Sequence, residues 1–493
     1  MKKILIFLIF GFISITLYKA FIFAQYDQTP FSWDQAMHMV LASQYNTLLK
    51  AREYHEFATI YRFYPPLTYL LFIPFLNIFG TTRLAALIFN SLYIGITVIL
   101  IYHLVLKTSS RRAALLASGL TWIFLVFGWF TSIWDLMTEI PLACTILLFF
   151  TFFRYMFKQN SINTINVLIL GLLTGLVGMT KGSGFVYIFV PILFAAYKLL
   201  RKKFWYFIIF AGLLLLTNYW YLYNFEAEIK EAYFRNVFTG IHVKKDVQGL
   251  AGLKFYISNI IQTKELVILI FTVIIFGTQH LKNQQVAQVN IAILASLFFT
   301  FISIGFGPNK DARYMHSWTL LVFLFIGWWL GTKTGKQVYT SIITIIFLLW
   351  FYKILQLPLP TSDRYLLNEL PQIIESTKFS KIYYFFADDS PYFNYANLDL
   401  LRERKVFLEL NLINRNSIDM IPENSGECKI EGAAGILVYS YLPFENKYPN
   451  SHVSLSQYCT DIDINNNCKK IQTVSNDTKQ EKMDIYSCSF NSI

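Results

Sequence analysis

Residues 84–106 read Leu84-Ala85-Ala86-Leu87-Ile88-Phe89-Asn90-Ser91-Leu92-Tyr93-Ile94-Gly95-Ile96-Thr97-Val98-Ile99-Leu100-Ile101-Tyr102-His103-Leu104-Val105-Leu106, and Lys107, Arg111 and Arg112 follow at once. No Asp, Glu, Lys or Arg interrupts the run, and a bilayer is crossed by roughly 17–25 helical residues. Further apolar runs fall near 3–24, 113–132, 139–157, 164–180, 183–200, 204–223, 264–279, 287–305, 316–331 and 337–356. Short basic gaps set their direction, because loops rich in Lys and Arg stay in the cytoplasm. Lys107, Arg111 and Arg112 fall on one side, with Arg154 and Lys158, Lys198 and Arg201 to Lys203, Lys282, Lys333 and Lys336. Every second connection is basic. About eleven spans with a cytoplasmic N-terminus satisfy that alternation and put the C-terminus outside.

Composition agrees. Of 493 residues 55% are hydrophobic and only 15% charged, with a mean hydropathy of +0.45, whereas a soluble domain carries about 25% charged residues. From residue 358 onward there are 13 Lys/Arg against 18 Asp/Glu, a net of −5, which leaves 29 against 12, or +17, in the rest. That positive charge sits in gaps between apolar runs rather than on a basic folded face, so no nucleic-acid partner is expected. Met1 to Phe23 is too long for a signal peptide's apolar region and lacks a small-x-small end, so it reads as a retained first span.

The expected organisation is a polytopic α-helical membrane domain, 1–357, followed by an extracytoplasmic C-terminal domain, 358–493. Residues 25–82 form a long first outer loop, in which Pro65 to Gly80, short and holding three prolines, lies as an interfacial or re-entrant helix. Other outer loops fall near 224–262 and 306–315. In the tail, Ile382–Ala387 and Gly435–Tyr441 look like strands, giving a small α/β domain. Cys428, Cys459, Cys468 and Cys488 all lie there. An even number in an oxidising compartment suggests two disulfides, whose pairing stays open; Cys-x-x-Cys spacing for zinc is missing.

Five constellations then share the outer face. Asp34 lies in Phe31-Ser32-Trp33-Asp34-Gln35-Ala36-Met37-His38-Met39, where partial desolvation would make a carboxylate a better general base; alternatively it caps a helix beginning at Gln35. Arg62-Phe63-Tyr64-Pro65-Pro66-Leu67 is an extended elbow. Glu139, in Asp135-Leu136-Met137-Thr138-Glu139-Ile140-Pro141, opens a span. Lys181 closes one, in Gly175-Leu176-Val177-Gly178-Met179-Thr180-Lys181-Gly182-Ser183-Gly184, a run without Walker spacing; the lysine either snorkels or pairs with an anion. Asp311-Ala312-Arg313-Tyr314 offers a guanidinium suited to phosphate.

Taken in order, Trp33-Asp34, Tyr64-Pro65-Pro66-Leu67, Thr138-Glu139-Ile140-Pro141-Leu142-Ala143, Thr180-Lys181-Gly182 and Arg313-Tyr314 resemble the superfamily of dolichyl-phosphate-mannose protein mannosyltransferases and aminoarabinose transferases, over about residues 1–330. The resemblance implies a GT-C fold and an inverting transfer of a monosaccharide from a polyprenyl-phosphate carrier to a lipid A, polysaccharide or protein acceptor, at a bacterial inner or plasma membrane. Asp34 takes the position of the base. Lys181, Arg313, Tyr314, Arg62 and Tyr64 are the candidates for the donor phosphate. Glu139 would orient the acceptor or hold a divalent cation, which members use variably. Gln35 stands where the family often has Glu, and Glu139 where it often has Asp. The rival reading is a membrane transporter, which would place ionisable groups mid-bilayer on broken helices.

Overall fold

The structure is a computed structural model that describes residues 2–58, 64–127, 133–225, 250–262, 288–306, 313, 315–330, 351–360, 365–376, 381–386, 395–403, 409–412, 434–441, 468–476 and 481–489. By its contacts the chain divides into two compact units. The first is Met1–Phe21 with Tyr45–Pro358, and the second is Ile22–Gln44 with Leu359–Ile493.

The helices follow the apolar runs. They are α1 (Lys2–Tyr26), α2 (Trp33–Ala51), α3 (Leu67–Phe79), α4 (Arg83–Leu106), α5 (Arg111–Phe127), α6 (Glu139–Lys158), α7 (Thr164–Thr180), α8 (Gly184–Lys202), α9 (Phe204–Thr217), α10 (Tyr219–Tyr223), α11 (Leu250–Gln262), α12 (Gln288–Phe306) and α13 (Met315–Leu330). Among the described residues α4, α6, α8 and α12 are long and apolar enough to cross a membrane, and α3, α7, α9 and residues 315–328 are shorter apolar helices. The expected spans at 264–279 and over 337–350 lie outside the described residues. At 13 residues, α3 extends about 20 Å, short of a hydrocarbon core of about 30 Å. Gly80 ends it at φ +69°, a left-handed conformation that suits glycine.

Two expectations change. The span foreseen at 204–223 breaks at Asn218, between α9 and α10. There Thr217 Oγ1 donates to the Leu213 carbonyl at 2.7 Å and Asn218 Nδ2 to that of Leu214 at 2.8 Å. Such side chains compete with the helical ladder and favour its termination. The loop foreseen at 224–262 contains α11, whose Leu253 packs so close to Gly305 of α12 that a Cβ there would meet it at 2.1 Å.

In the first unit α6 is the central helix, packed by α4, α7, α8, α12 and α13, and it buries Phe149, Phe150 and Phe153. A stripe of small residues seats α7 on α9. A Cβ added at Gly171 would meet Leu213 Cβ at 2.9 Å, at Gly175 it would meet Thr217 Cβ at 2.4 Å, and at Gly178 it would meet Asn218 Oδ1 at 2.4 Å. These glycines therefore serve close helix approach. Gly175→Ala should lower the melting temperature in detergent, costing about 1–3 kcal/mol of overpacking. Gly212→Ala on α9, where a new Cβ meets nothing within 4 Å, should be neutral or mildly stabilising, since Gly within a helix costs about 0.5–1 kcal/mol relative to Ala.

The second unit is the expected α/β fold. It has α14 (Leu366–Ser376), β1 (Lys381–Phe386), α15 (Tyr395–Glu403), β2 (Glu409–Leu412), β3 (Ala434–Tyr441), β4 (Cys468–Asn476) and β5 (Glu481–Ser489). The sheet order is β2-β1-β3-β5-β4; β1 runs parallel to β2 and β3, and β5 antiparallel to β3 and β4. Cys468 and Cys488 face each other across β4 and β5 and form a disulfide; Cys428 and Cys459 lie outside the described residues.

Residues 27–43 are bound into this unit by side chains. Asn397 Nδ2 donates to the Phe31 carbonyl at 2.7 Å, Asn368 Nδ2 to that of Gln28 at 2.9 Å, and Ser43 Oγ to Glu403 Oε2 at 2.9 Å. Asp399 of α15 is buried and paired with Arg402 at 2.5 Å. Burial raises its pKa to about 6, with the Arg402 cation opposing the shift and Glu403 adding to it. An acid raised in the folded state favours folding while protonated. Stability should therefore fall as pH rises from about 4 to about 6, then level off. Asp399→Asn should remove that slope and stabilise the unit at pH 7 by on the order of 1–3 kcal/mol, read by thermal unfolding against pH.

Candidate functional site

At one end of the first unit acidic and basic side chains meet. Glu139 occupies the first turn of α6, where the helix dipole favours a carboxylate. Lys181 caps the C-terminus of α7 in an extended conformation, φ −163°, its backbone N–H donating to the Val177 carbonyl. Since α6 and α7 are consecutive antiparallel helices, these two ends meet. Lys181 Nζ donates to Glu139 Oε1 at 2.6 Å, with the side chains only 16% and 4% exposed. The lysine thus takes the second of its two sequence alternatives, pairing rather than snorkelling.

Around this pair lie groups from three more segments. His316, in the first turn of α13, is buried, within electrostatic reach of both Glu139 and Lys181, and 5.0 Å from the Phe124 ring. Arg83 Nε, at the start of α4, lies 3.7 Å from Asp135 Oδ1, just before α6. Asn90 Nδ2 holds that segment by donating to the carbonyls of Ile133 and Asp135 at 2.7 and 2.8 Å. Thr138 and Ser183 stand at helix N-caps but make no capping bond. Their hydroxyls, with Asn218 Oδ1 and Trp220 Nε1, are buried at this end without a hydrogen-bond partner among the described residues. Native buried polar atoms are nearly always satisfied, so such a group is expected where a ligand or water supplies the partner. Two carboxylates, two cations, an imidazole and unpaired hydroxyls can bind an anion and hold or move a proton.

Asp34 belongs to the second unit. It sits half-buried in the first turn of α2, which begins at Trp33, not Gln35. It is not the cap. Ser32 precedes the helix, and its backbone N–H donates to Gln35 Oε1 at 2.9 Å, half of a capping box. Gln35, where the resembling family often has Glu, therefore has a local structural task. Arg313 lies three residues before His316 and Tyr64 three before Leu67 of α3; Arg62 and Tyr314 lie outside the described residues. Among the described residues no three His, Cys, Asp or Glu side chains come together as a metal site, and the Glu139 carboxylate already holds the Lys181 cation.

The fold is similar to that of polytopic GT-C membrane enzymes, a helical bundle with a C-terminal α/β domain. The chain aligns with the crystal structure of ArnT from Cupriavidus metallidurans bound to undecaprenyl phosphate, and equally with its apo state, over 97% of both chains at TM-score 0.56 and 12% identity. AglB from Archaeoglobus fulgidus, in complex with an inhibitory peptide and a dolichol-phosphate, aligns at TM-score 0.46 and 12% identity over 82% of this chain and 65% of that one. No family profile and no curated protein sequence matches the chain.

Sequence reasoning singled out neither His316 nor Arg83, and took Asp135 only as the first residue of the stretch that leads to Glu139. His316 carried a usable signal, a titratable side chain at the start of an otherwise apolar span. Breaking either half of the central pair strands a buried charge. Glu139→Gln or Lys181→Met alone should each cost about 3 kcal/mol or more, and the double substitution less than their sum, measured as a double-mutant cycle of thermal stability.

Proposed function

We propose that this protein is an inverting glycosyltransferase that moves a monosaccharide from a polyprenyl-phosphate carrier to an acceptor on the extracytoplasmic side of the membrane. The observation that carries the reading is the buried Glu139–Lys181 pair at one end of an apolar bundle, with the buried Thr138 and Ser183 hydroxyls that have no hydrogen-bond partner among the described residues. The fold shared with a transferase crystallised with undecaprenyl phosphate supports it. The basic connections 107–112 and 198–203 lie at the opposite end from Glu139 and Lys181, which by the positive-inside rule supports an extracytoplasmic cluster.

In the proposed reaction Asp34 takes the proton of the acceptor hydroxyl. The hydroxyl oxygen bonds to the anomeric carbon as the bond from that carbon to the phosphate oxygen breaks. One displacement inverts the configuration, as in inverting glycosidases. The leaving polyprenyl phosphate needs charge stabilisation more than a proton, which Lys181 and Arg313 supply, with Arg62, Tyr64 and Tyr314 around the phosphate. Glu139 holds Lys181 in place and orients the acceptor. The carrier's isoprenoid chain is apolar and runs alongside the spans. Lipid A, a surface polysaccharide or a protein fits as acceptor.

Transport is the other reading, and the placement of charge disfavours it. In α4, α6 and α8 every Asp, Glu, Lys and Arg lies in the first turn or the last four to five residues, and α7, α9, α12 and α13 hold none. Purified protein given a lipid-linked sugar and membrane acceptor should transfer it, and Asp34→Asn should lower the rate by about 100-fold or more. A rate close to wild type for Asp34→Asn would remove it as the base, and no transfer from any polyprenyl-phosphate sugar would remove the function.

A further inference from the structure

The opposite end of the first unit poses a charge problem of its own. Arg154 lies in the last turns of α6 and is only 5% exposed. An arginine this near the end of a span ordinarily extends its head to water, as Lys158 does one turn later. The Arg154 head instead turns inward. Its Nε donates to Asn290 Oδ1 of α12 at 3.3 Å and its Nη2 to the Lys107 carbonyl, just past α4, at 3.4 Å. Both bonds are long, both acceptors are neutral, and a guanidinium has five N–H groups to place. Its Nη1 makes no hydrogen bond among the described residues, and no carboxylate there pairs with it.

Among the described residues no carboxylate is placed to answer it. The sequence holds no Asp or Glu before Asp27, between Glu56 and Asp135, between Glu139 and Glu226, between Glu265 and Asp311, or between Asp311 and Asp363. The helix ends assembled here bring only cations: exposed Lys107, and Lys158, within electrostatic reach of Arg154. The partial charge of the α4 C-terminal carbonyls falls well short of a full counter-charge. A buried guanidinium without one is costly.

We propose that Arg154, with Lys107 and Lys158, forms a phosphate site at this end of the bundle, filled by the headgroup of an anionic phospholipid from the adjoining leaflet. The ligand chemistry is a phosphate oxyanion. Arg supplies the fork that grips it, and the two lysines add the long-range attraction that anionic leaflets exert on juxtamembrane cations. The site stands apart from the Glu139–Lys181 cluster, at the other end of the same helix.

The test uses full-length protein in nanodiscs of POPC, of POPC with POPG, and of POPC with millimolar inorganic phosphate. POPG should raise the unfolding temperature of wild type by about 2–4 °C over POPC. R154Q should abolish most of that rise, whereas R201Q, which removes an exposed arginine of α8 at the same end, should keep it. A rise with inorganic phosphate equal to that with POPG assigns the site to free phosphate; a rise with POPG alone assigns it to lipid. If R154Q does not fold, the K107Q/K158Q double variant, altered only at exposed positions, should at least halve the rise. Equal unfolding temperatures in all three media, or a full POPG rise in R154Q, would overturn the proposal.

Discussion

The ion pair between Lys181 and Glu139 constrains the bundle more than any other contact described. Two opposite charges buried at the end of an apolar helix pair are tolerable only when they meet at hydrogen-bond distance. The chain brings them together by local means. Glu139 sits at a helix N-terminus and Lys181 at a C-terminus, so each dipole favours the charge it carries. Antiparallel succession of α6 and α7 then lays the two ends side by side. The stripe at Gly171, Gly175 and Gly178 lets α9 approach α7 closely, which brings Asn218 and Trp220 to the same end.

Charge is divided between the ends of the first unit, and the division gives each end a distinct chemistry. The Glu139 end has carboxylates, cations, an imidazole and unsatisfied hydroxyls, a mixture suited to holding an anionic donor and handling a proton. Among the described residues the Arg154 end has cations only. A protein read as extracytoplasmic at the first end and cytoplasmic at the second would meet different partners at each. The second unit binds residues 27–43 through Asn397, Asn368 and Ser43. Asp34 therefore depends for its position on the C-terminal α/β fold as much as on the helices beside it in sequence.

The helical plan was legible because its signal is collective. A charge-free run of about twenty residues has few alternatives to a spanning helix, and α4, α6, α7 and α12 begin and end within two residues of the apolar limits. What the sequence hid was decided by single side chains. The break at Asn218 depends on Thr217 and Asn218 turning back on α9, which no hydropathy average detects. Asp34 read either as a base or as a helix cap, and the capping contact is instead that of Ser32 with Gln35. Lys181 and Glu139 were each visible as unusual; their pairing across 42 positions was not. The pairing of Arg83 with Asp135, across two helices and a loop, likewise had no local signature. The strands β1 and β3 were found from short apolar stretches between turns, whereas the sheet order, which is not sequential, had no local signature.

The central claim is that the buried lysine at the end of α7 receives the phosphate of a polyprenyl carrier. Equilibrium binding of undecaprenyl phosphate to the detergent-solubilised protein, wild type against Lys181→Ala, tests it most directly. Loss of one charge-assisted contact, about 1.5–3 kcal/mol, predicts a roughly 10- to 100-fold weaker Kd for the variant with its fold intact by circular dichroism. An unchanged Kd in a folded Lys181→Ala protein would contradict the account.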